Sequence, residues 1–214
     1  MGFNTGILGA TVRLFNIVAT LWIMAGLGKP LLAAQPGFSL DLAQTKNSVE
    51  FLAVGKPSAI KIRGALKEVE GGKPVKGTLL LSQTALSGRV EVQLASFDTG
   101  IELRTDHMLN KYLEVKKFPI AELTNLKAEL PAQVKEESYS VEKVAFAAEL
   151  SLHGVKKSIA GLVAVKKHKS DSTPQLIFSF EIDTKEFAIE TPSYLGIRVT
   201  DSVRVTAHVE GVSK

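Results

Sequence analysis

The sequence predicts an all-β protein: an antiparallel sheet of about eight strands, closed as a barrel or packed as a sandwich, with one short helix near residues 100–113. Three observations predict it. Beyond residue 40, apolar and polar residues alternate with a period of two, the mark of strands with one buried face. Short turn-forming runs such as Gly71-Gly72-Lys73-Pro74 and His153-Gly154 separate them, and connections that short join antiparallel neighbours. Mixed ionisable, helix-forming sequence is confined to one stretch, residues 98–109.

The elements follow in order. Val49, Phe51 and Ala53 share one face, and after a turn at Gly55-Lys56-Pro57, Ile60, Ile62, Gly64 and Leu66 share another, opposite Lys61, Arg63 and Lys67. Leu79 and Leu81 come next. Beyond a turn expected at Ser87-Gly88, Val90, Val92 and Leu94 alternate with Arg89, Glu91 and Gln93. Thr99 and Glu102 then stand at the spacing of a capping box, so a helix is expected to begin there. After it, residues 120–130 alternate but slip near Asn125, which predicts a bulge. Val144, Phe146, Ala148, Leu150 and Leu152 form one face, and Ile159, Gly161, Val163 and Val165 the next. Leu176, Phe178, Phe180 and Ile182 follow the turn-forming residues 170–174, and Val203, Val205, Ala207 and Val209 close the series.

A barrel of about eight strands has room for side chains or for one small ligand. Small residues (Gly64, Gly161, Ala53, Ala148, Ala207) interspersed with Phe and Leu suit a hollow interior and a tapered solid core equally. An outer-membrane barrel would exchange the two faces and carry aromatic girdles. The chain has three Tyr, and its one Trp is Trp22, so a barrel in water is favoured.

Residues 1–34 contain no Asp or Glu. Arg13 precedes an apolar run from Leu14 to Leu27, and Ala33-Ala34 lead into Gln35-Pro36-Gly37. That layout predicts a cleaved secretory signal peptide at 1–34 and a single domain at 35–214. The run is shorter than the about 20 residues of a spanning helix. The absence of Cys excludes disulfides and a lipobox anchor. The formal charge of +4 falls further when Arg13 and Lys29 leave with the signal, which excludes a basic nucleic-acid-binding surface.

Chemistry is sparse. None of the four His stands in H-x-H or H-E-x-x-H spacing, so no metal site is expected, and no nucleophile or phosphate-loop motif is present. His208 reads as exposed on a charged strand face, His168 as part of a Lys-rich turn, and His153 as a turn residue that packs or hydrogen-bonds locally. His107 differs by its company. Arg104 is its neighbour three positions back on the helix, and Asp106 adjoins it. The cluster either pins the helix to the barrel rim or contacts a ligand's polar head at the barrel mouth.

The segment Thr99-Gly100, Arg104, Asp106-His107, Tyr112-Leu113-Glu114-Val115-Lys116-Lys117-Phe118-Pro119 resembles the helix region of the YceI-like family, periplasmic polyisoprenoid-binding proteins. Leu150-Ser151-Leu152-His153-Gly154-Val155-Lys156-Lys157 is similar to a second family element, and Glu186-Phe187-Ala188-Ile189 with Asp201-Ser202-Val203 to a third. In register, the three cover roughly residues 38–211. The resemblance implies an extended, lipocalin-like antiparallel barrel whose apolar interior holds an isoprenoid chain, and it implies no catalytic activity. Thr105 between Arg104 and Asp106, and Tyr112-Leu113 in place of paired Phe, depart from the family pattern and bear on the head group.

The expectation is therefore a periplasmic carrier of a long apolar lipid, an isoprenoid quinone or polyprenyl phosphate, with no required cofactor and no metal or catalytic residue. Phe51, Ile60, Ile62, Leu79, Leu81, Val90, Val92, Phe146, Leu150, Phe178 and Phe180 would line the cavity. Arg104 and His107 would contact the head group, oriented by Asp106. Expected partners are an isoprenoid or other long-chain lipid and, transiently, a membrane; nucleic acid is not one, and the oligomeric state, a dimer included, stays open. Two alternatives stand. If Phe146, Phe178 and Phe180 meet across the interior, the barrel is filled and acts through its surface as an envelope stress or interaction protein. In the other, His107 is the general base of an enzyme acting on a bound lipid.

Overall fold

The computed structural model describes residues 38–42, 47–56, 60–67, 73–131, 138–171, 173–194 and 197–213. The segment expected as a signal peptide lies outside them, as do parts of the turns expected near Pro57, Gly71-Gly72 and Ser172.

Strands form where the alternation runs. In chain order they are β1 (Phe38–Asp41), β2 (Ser48–Lys56), β3 (Lys61–Leu66), β4 (Val75–Leu81), β5 (Ala85–Gln93) and β6 (Phe97–Asp98). Helix α1 (Glu102–Asp106) continues into a π-helical turn over His107–Tyr112. Then come β7 (Ile120–Glu129), β8 (Tyr139–Leu152), β9 (Val155–Lys167), β10 (Gln175–Asp183), β11 (Ser193–Tyr194), β12 (Ile197–Glu210) and β13 (Val212–Ser213). The pairings are antiparallel throughout, in the order β13-β1-β4-β5-β7-β8-β9-β10-β12-β2-β3-β6, with β11 on β12.

The sheet curls into a barrel, and the chain itself stitches its two ends. β13 follows β12 across Gly211 and pairs with β1, while β6 follows β5 through Leu94–Ser96 and pairs with β3. The alternation left a barrel and a sandwich open; the antiparallel barrel with one short helix is the architecture that the family resemblance implies.

Irregularities in the ladder steepen the curl. The register slips between Thr124 and Lys127, where Asn125 takes a φ of 52°, so the expected bulge is there. A second slip falls between Val141 and Val144, with Lys143 at φ 60°. The turn expected at Ser87-Gly88 is not there. Both residues lie inside β5, and the reversal is made instead by residues 82–84, where the Ser82 N–H donates to the Ala85 carbonyl at 2.8 Å. Gly88 serves a different end. At its φ of 147° a Cβ would stand 2.3 Å from the Thr78 carbonyl oxygen, so glycine lets β4 and β5 approach at a strongly curved point.

The interior divides into two zones. At one end Leu40, Leu79, Leu81, Leu86, Leu126, Val163, Val165 and Leu176 are all but inaccessible and pack as a solid floor. Leu79 and Leu81 therefore belong to this floor. Phe146 lies behind the cavity wall. Its ring meets Phe178 edge-on at 5.4 Å and Phe180 at 6.1 Å. The three Phe do meet, but along one wall: Phe146 on β8 and Phe180 on β10 are each in register with Gly161 on the intervening β9, whose missing side chain leaves room for both. That lateral packing leaves the other end of the barrel open.

Candidate functional site

Above the floor the strands enclose a cavity of about 950 Å³, at the upper end of the ~300–1,000 Å³ usual for small-molecule sites. Strand parity builds its wall. Phe178, Phe180 and Ile182 lie on one face of β10, Val203, Val205 and Ala207 on the matching face of β12, and Phe51 and Ile62 on β2 and β3. Val90, Val92, Leu123 and Leu150 complete the opposite side. Polar side chains gather towards the mouth: Thr99, Arg104, His107, Lys111, Glu190, Thr191, Ser193 and Thr200.

Of the residues expected from sequence to line the cavity, Phe51, Ile60, Ile62, Val90, Val92, Leu150, Phe178 and Phe180 do so, together with Arg104 and His107. Leu79, Leu81 and Phe146 do not, because they point inward at the level of the floor or behind the wall. Asp106 does not either. It is exposed and accepts a hydrogen bond from Asn110 Nδ2 at 2.6 Å, one turn along the helix, so it orients neither Arg104 nor His107.

The mouth is held by a polar knot in which Thr99 plays a different part from the one its spacing predicts. Ile101 caps α1 with no side-chain hydrogen bond, and no capping box forms. The Thr99 hydroxyl is engaged by the Ile101 carbonyl and the Thr105 hydroxyl, at 3.3 and 2.9 Å. Thr105 Oγ1 donates to Asp98 Oδ1 at 2.8 Å, and Asp98 Oδ1 also accepts from the Gly100 N–H at 2.9 Å. Lys67 forms an ion pair with the other Asp98 oxygen. Lys67 foremost, with the Gly100 N–H and the Thr105 hydroxyl, holds the Asp98 carboxyl well below the usual carboxylate range. Arg104 Nη2 donates to the Thr99 carbonyl, which fixes the guanidinium at the cavity edge.

Two buried polar atoms at this cavity have no protein partner: Arg104 Nε and Thr184 Oγ1. Among the described residues, no carboxylate pairs with Arg104. Leaving such groups unsatisfied costs about 1–3 kcal/mol each, so a cavity that presents them is suited to a ligand bearing a polar group as well as an apolar body. Sequence reasoning missed Thr184 because it follows the last residue of β10 and carries no motif. It also missed Thr191, Pro192 and Ser193, which belong to a segment without alternation.

His153 acts elsewhere. With Gly154 it forms the tight β8–β9 turn, both residues at positive φ. Its Nδ1 lies 3.1 Å from the Phe187 carbonyl oxygen, its Nε2 2.9 Å from Glu114 Oε2, and its ring meets Phe118 edge-on. The residue ties together segments that bound the mouth without lining the cavity itself.

Several solved structures share this architecture, two of them as follows. A polyisoprenoid-binding domain from Saccharophagus degradans, described as implicated in plant cell wall breakdown, is 16% identical and aligns over 82% of this chain and 98% of its own, with a TM-score of 0.57. BcnA from Burkholderia cenocepacia is 18% identical over 81% of this chain and 99% of its own, with a TM-score of 0.58. At those identities the likeness is one of fold. No curated protein matches the sequence. The YceI-like domain matches residues 39–211, nearly the whole described body, and the chain belongs to that family.

Proposed function

We propose that this protein binds and carries a long-chain apolar lipid, an isoprenoid with a polar end, in the upper half of the barrel. The cavity carries the reading: it is deep, apolar along its strand walls and polar at its mouth. At about 950 Å³ it lies at the upper end of the ~300–1,000 Å³ that takes a drug-sized ligand, room for several isoprene units. Burial of each methylene contributes about 0.8 kcal/mol, so the chain alone supplies ample affinity. The S. degradans domain's description as polyisoprenoid-binding supports the same ligand class.

Arg104 and His107 contact the polar end at the mouth, and Thr184 offers it a hydroxyl. Arg104, with its unpaired Nε–H, suits a phosphate; a quinone head would be met by hydrogen-bond donors alone. The protein acts by binding, without catalysis. The N-terminal pattern of Arg13, an apolar run and Ala33-Ala34 supports secretion to the periplasm, where the carrier would meet envelope lipids.

The test is native mass spectrometry of the protein purified from its own host, followed by organic extraction. A discrete adduct in the isoprenoid quinone or polyprenyl mass range is the expected result. A bare polypeptide, still bare after incubation with host lipid extract, would overturn the proposal.

A further inference from the structure

Beside its polar side chains, the mouth of the cavity also turns apolar ones to the solvent. Large exposed hydrophobic side chains are few among the described residues, and half of them stand at this rim: Leu103 is 66% exposed, Ile101 54% and Ile60 38%. Ile101 and Leu103 project from the start of α1, and Ile60 from the β2–β3 reversal, so two elements offer apolar side chains around one opening. Each lines the cavity edge yet leaves much of its surface in solvent.

Basic side chains flank the same rim. Lys56 and Lys61 bracket the β2–β3 reversal, whose ends are drawn together by the Gly55 N–H donating to the Ile60 carbonyl at 2.7 Å. Lys111 lines the mouth from the π-helical turn. Glu102 and Glu190 are exposed there too, so charge attraction is partial and insertion of the apolar side chains contributes more.

We propose that this rim docks on the surface of a bilayer containing anionic phospholipid, with Ile60, Ile101 and Leu103 dipping below the head groups and Lys56, Lys61 and Lys111 meeting the phosphates. The inference rests on the carrier reading for its purpose. A water-insoluble chain that enters through this mouth is best exchanged where the mouth opens directly into lipid and no apolar surface of the cargo crosses water. Ile60, Ile101 and Leu103 themselves line the cavity, so they give the chain an apolar path beside the polar side chains of the mouth.

The chain contains no cysteine, so a single introduced thiol reports from one place. Spin labels at Leu103→Cys and Ile101→Cys in the full chain are compared with one at Leu162→Cys, a 45% exposed site on β9 remote from the cavity lining. Vesicles of phosphatidylglycerol with phosphatidylcholine are added, and accessibility to oxygen is measured against a water-soluble nickel complex. The expected result is a severalfold shift towards oxygen at 101 and 103 and none at 162. Lys56→Glu with Lys61→Glu should lower the inserted fraction at least threefold, with a smaller effect on pure phosphatidylcholine vesicles. Labels at 101 and 103 that stay water-accessible, or a label at 162 that shifts as far as they do, would overturn the proposal. Binding of a detergent-dispersed polyprenyl phosphate or quinone is measured separately. Docking without cargo uptake would refute the carrier reading alone, and cargo uptake without docking would refute the docking surface alone.

Discussion

Ala207 faces the cavity from β12, in register with Phe178 on one side and Val49 on the other. Ala207→Phe adds six carbon atoms to the hollow. Those six carbon atoms displace about as many carbon atoms of a bound chain from the space. A bound chain forced out of that volume forfeits about six methylenes of burial, a ceiling near 5 kcal/mol at about 0.8 kcal/mol each. The cargo can slide towards the mouth and recover part of this. Half the ceiling is still about 2.4 kcal/mol, or roughly fifty-fold in dissociation constant. Stability should move the other way, because the new ring buries apolar surface that the empty barrel leaves uncovered. The assay is a titration with a detergent-dispersed polyprenyl ligand, read by native mass spectrometry, beside thermal unfolding of the unloaded protein. Affinity within threefold of the parent, with unfolding unchanged, would show that the ligand does not occupy the space above the floor.

Leu81→Ala, in the floor, should lower unfolding free energy by about 2–5 kcal/mol in denaturant titrations and change cargo affinity little; a stability change under about 1 kcal/mol would contradict a solid floor. Arg104→Ala should weaken a phosphorylated lipid by about 1.5–3 kcal/mol, the range for a hydrogen bond to a charged group, and a quinone far less. Equal losses for the two ligands would count against the head-group role. Asp98→Asn tests the knot at the mouth. The folded carboxyl sits below its ordinary value of 3.8, so its stabilisation is complete above that pH and is lost as pH falls further. The variant's deficit in thermal unfolding should be constant from neutral pH down to about 4.5 and shrink at lower pH; a deficit that grew towards acid would refute the assignment.

Much of the fold is legible in the sequence because a buried sheet face imposes period two, and the runs around Phe51, Val92, Phe146 and Phe178 are long enough to display it. The shortest strands, β1, β6, β11 and β13, span two to four residues and carry no period to read. Gly88 misleads for a related reason: in sequence, a glycine that relieves a close strand crossing looks like one that makes a turn. At the site, parity tells which face a side chain takes but not its height in the barrel. Leu81 and Val92 both point inward, yet one lies in the floor and the other in the cavity wall. Asp106 is lost to a local competitor, because Asn110 one helical turn on offers its amide at 2.6 Å. The capping box fails alike: Thr99 finds Thr105 before it finds the helix backbone.

The leucine and valine floor would also serve a lipid carrier as an end stop. On the carrier reading, a lipid tail entering from the mouth would stop above Leu40, Leu79 and Leu176, side chains with no measurable exposure that pack outside the cavity lining. Cargo length would thereby be gauged from a fixed datum. A tail shorter than the hollow leaves the far wall bare, and a longer one holds its surplus units outside the rim, where they favour return to the lipid phase. Retention should peak at one tail length, and moving the datum by thickening or thinning the floor should move that peak.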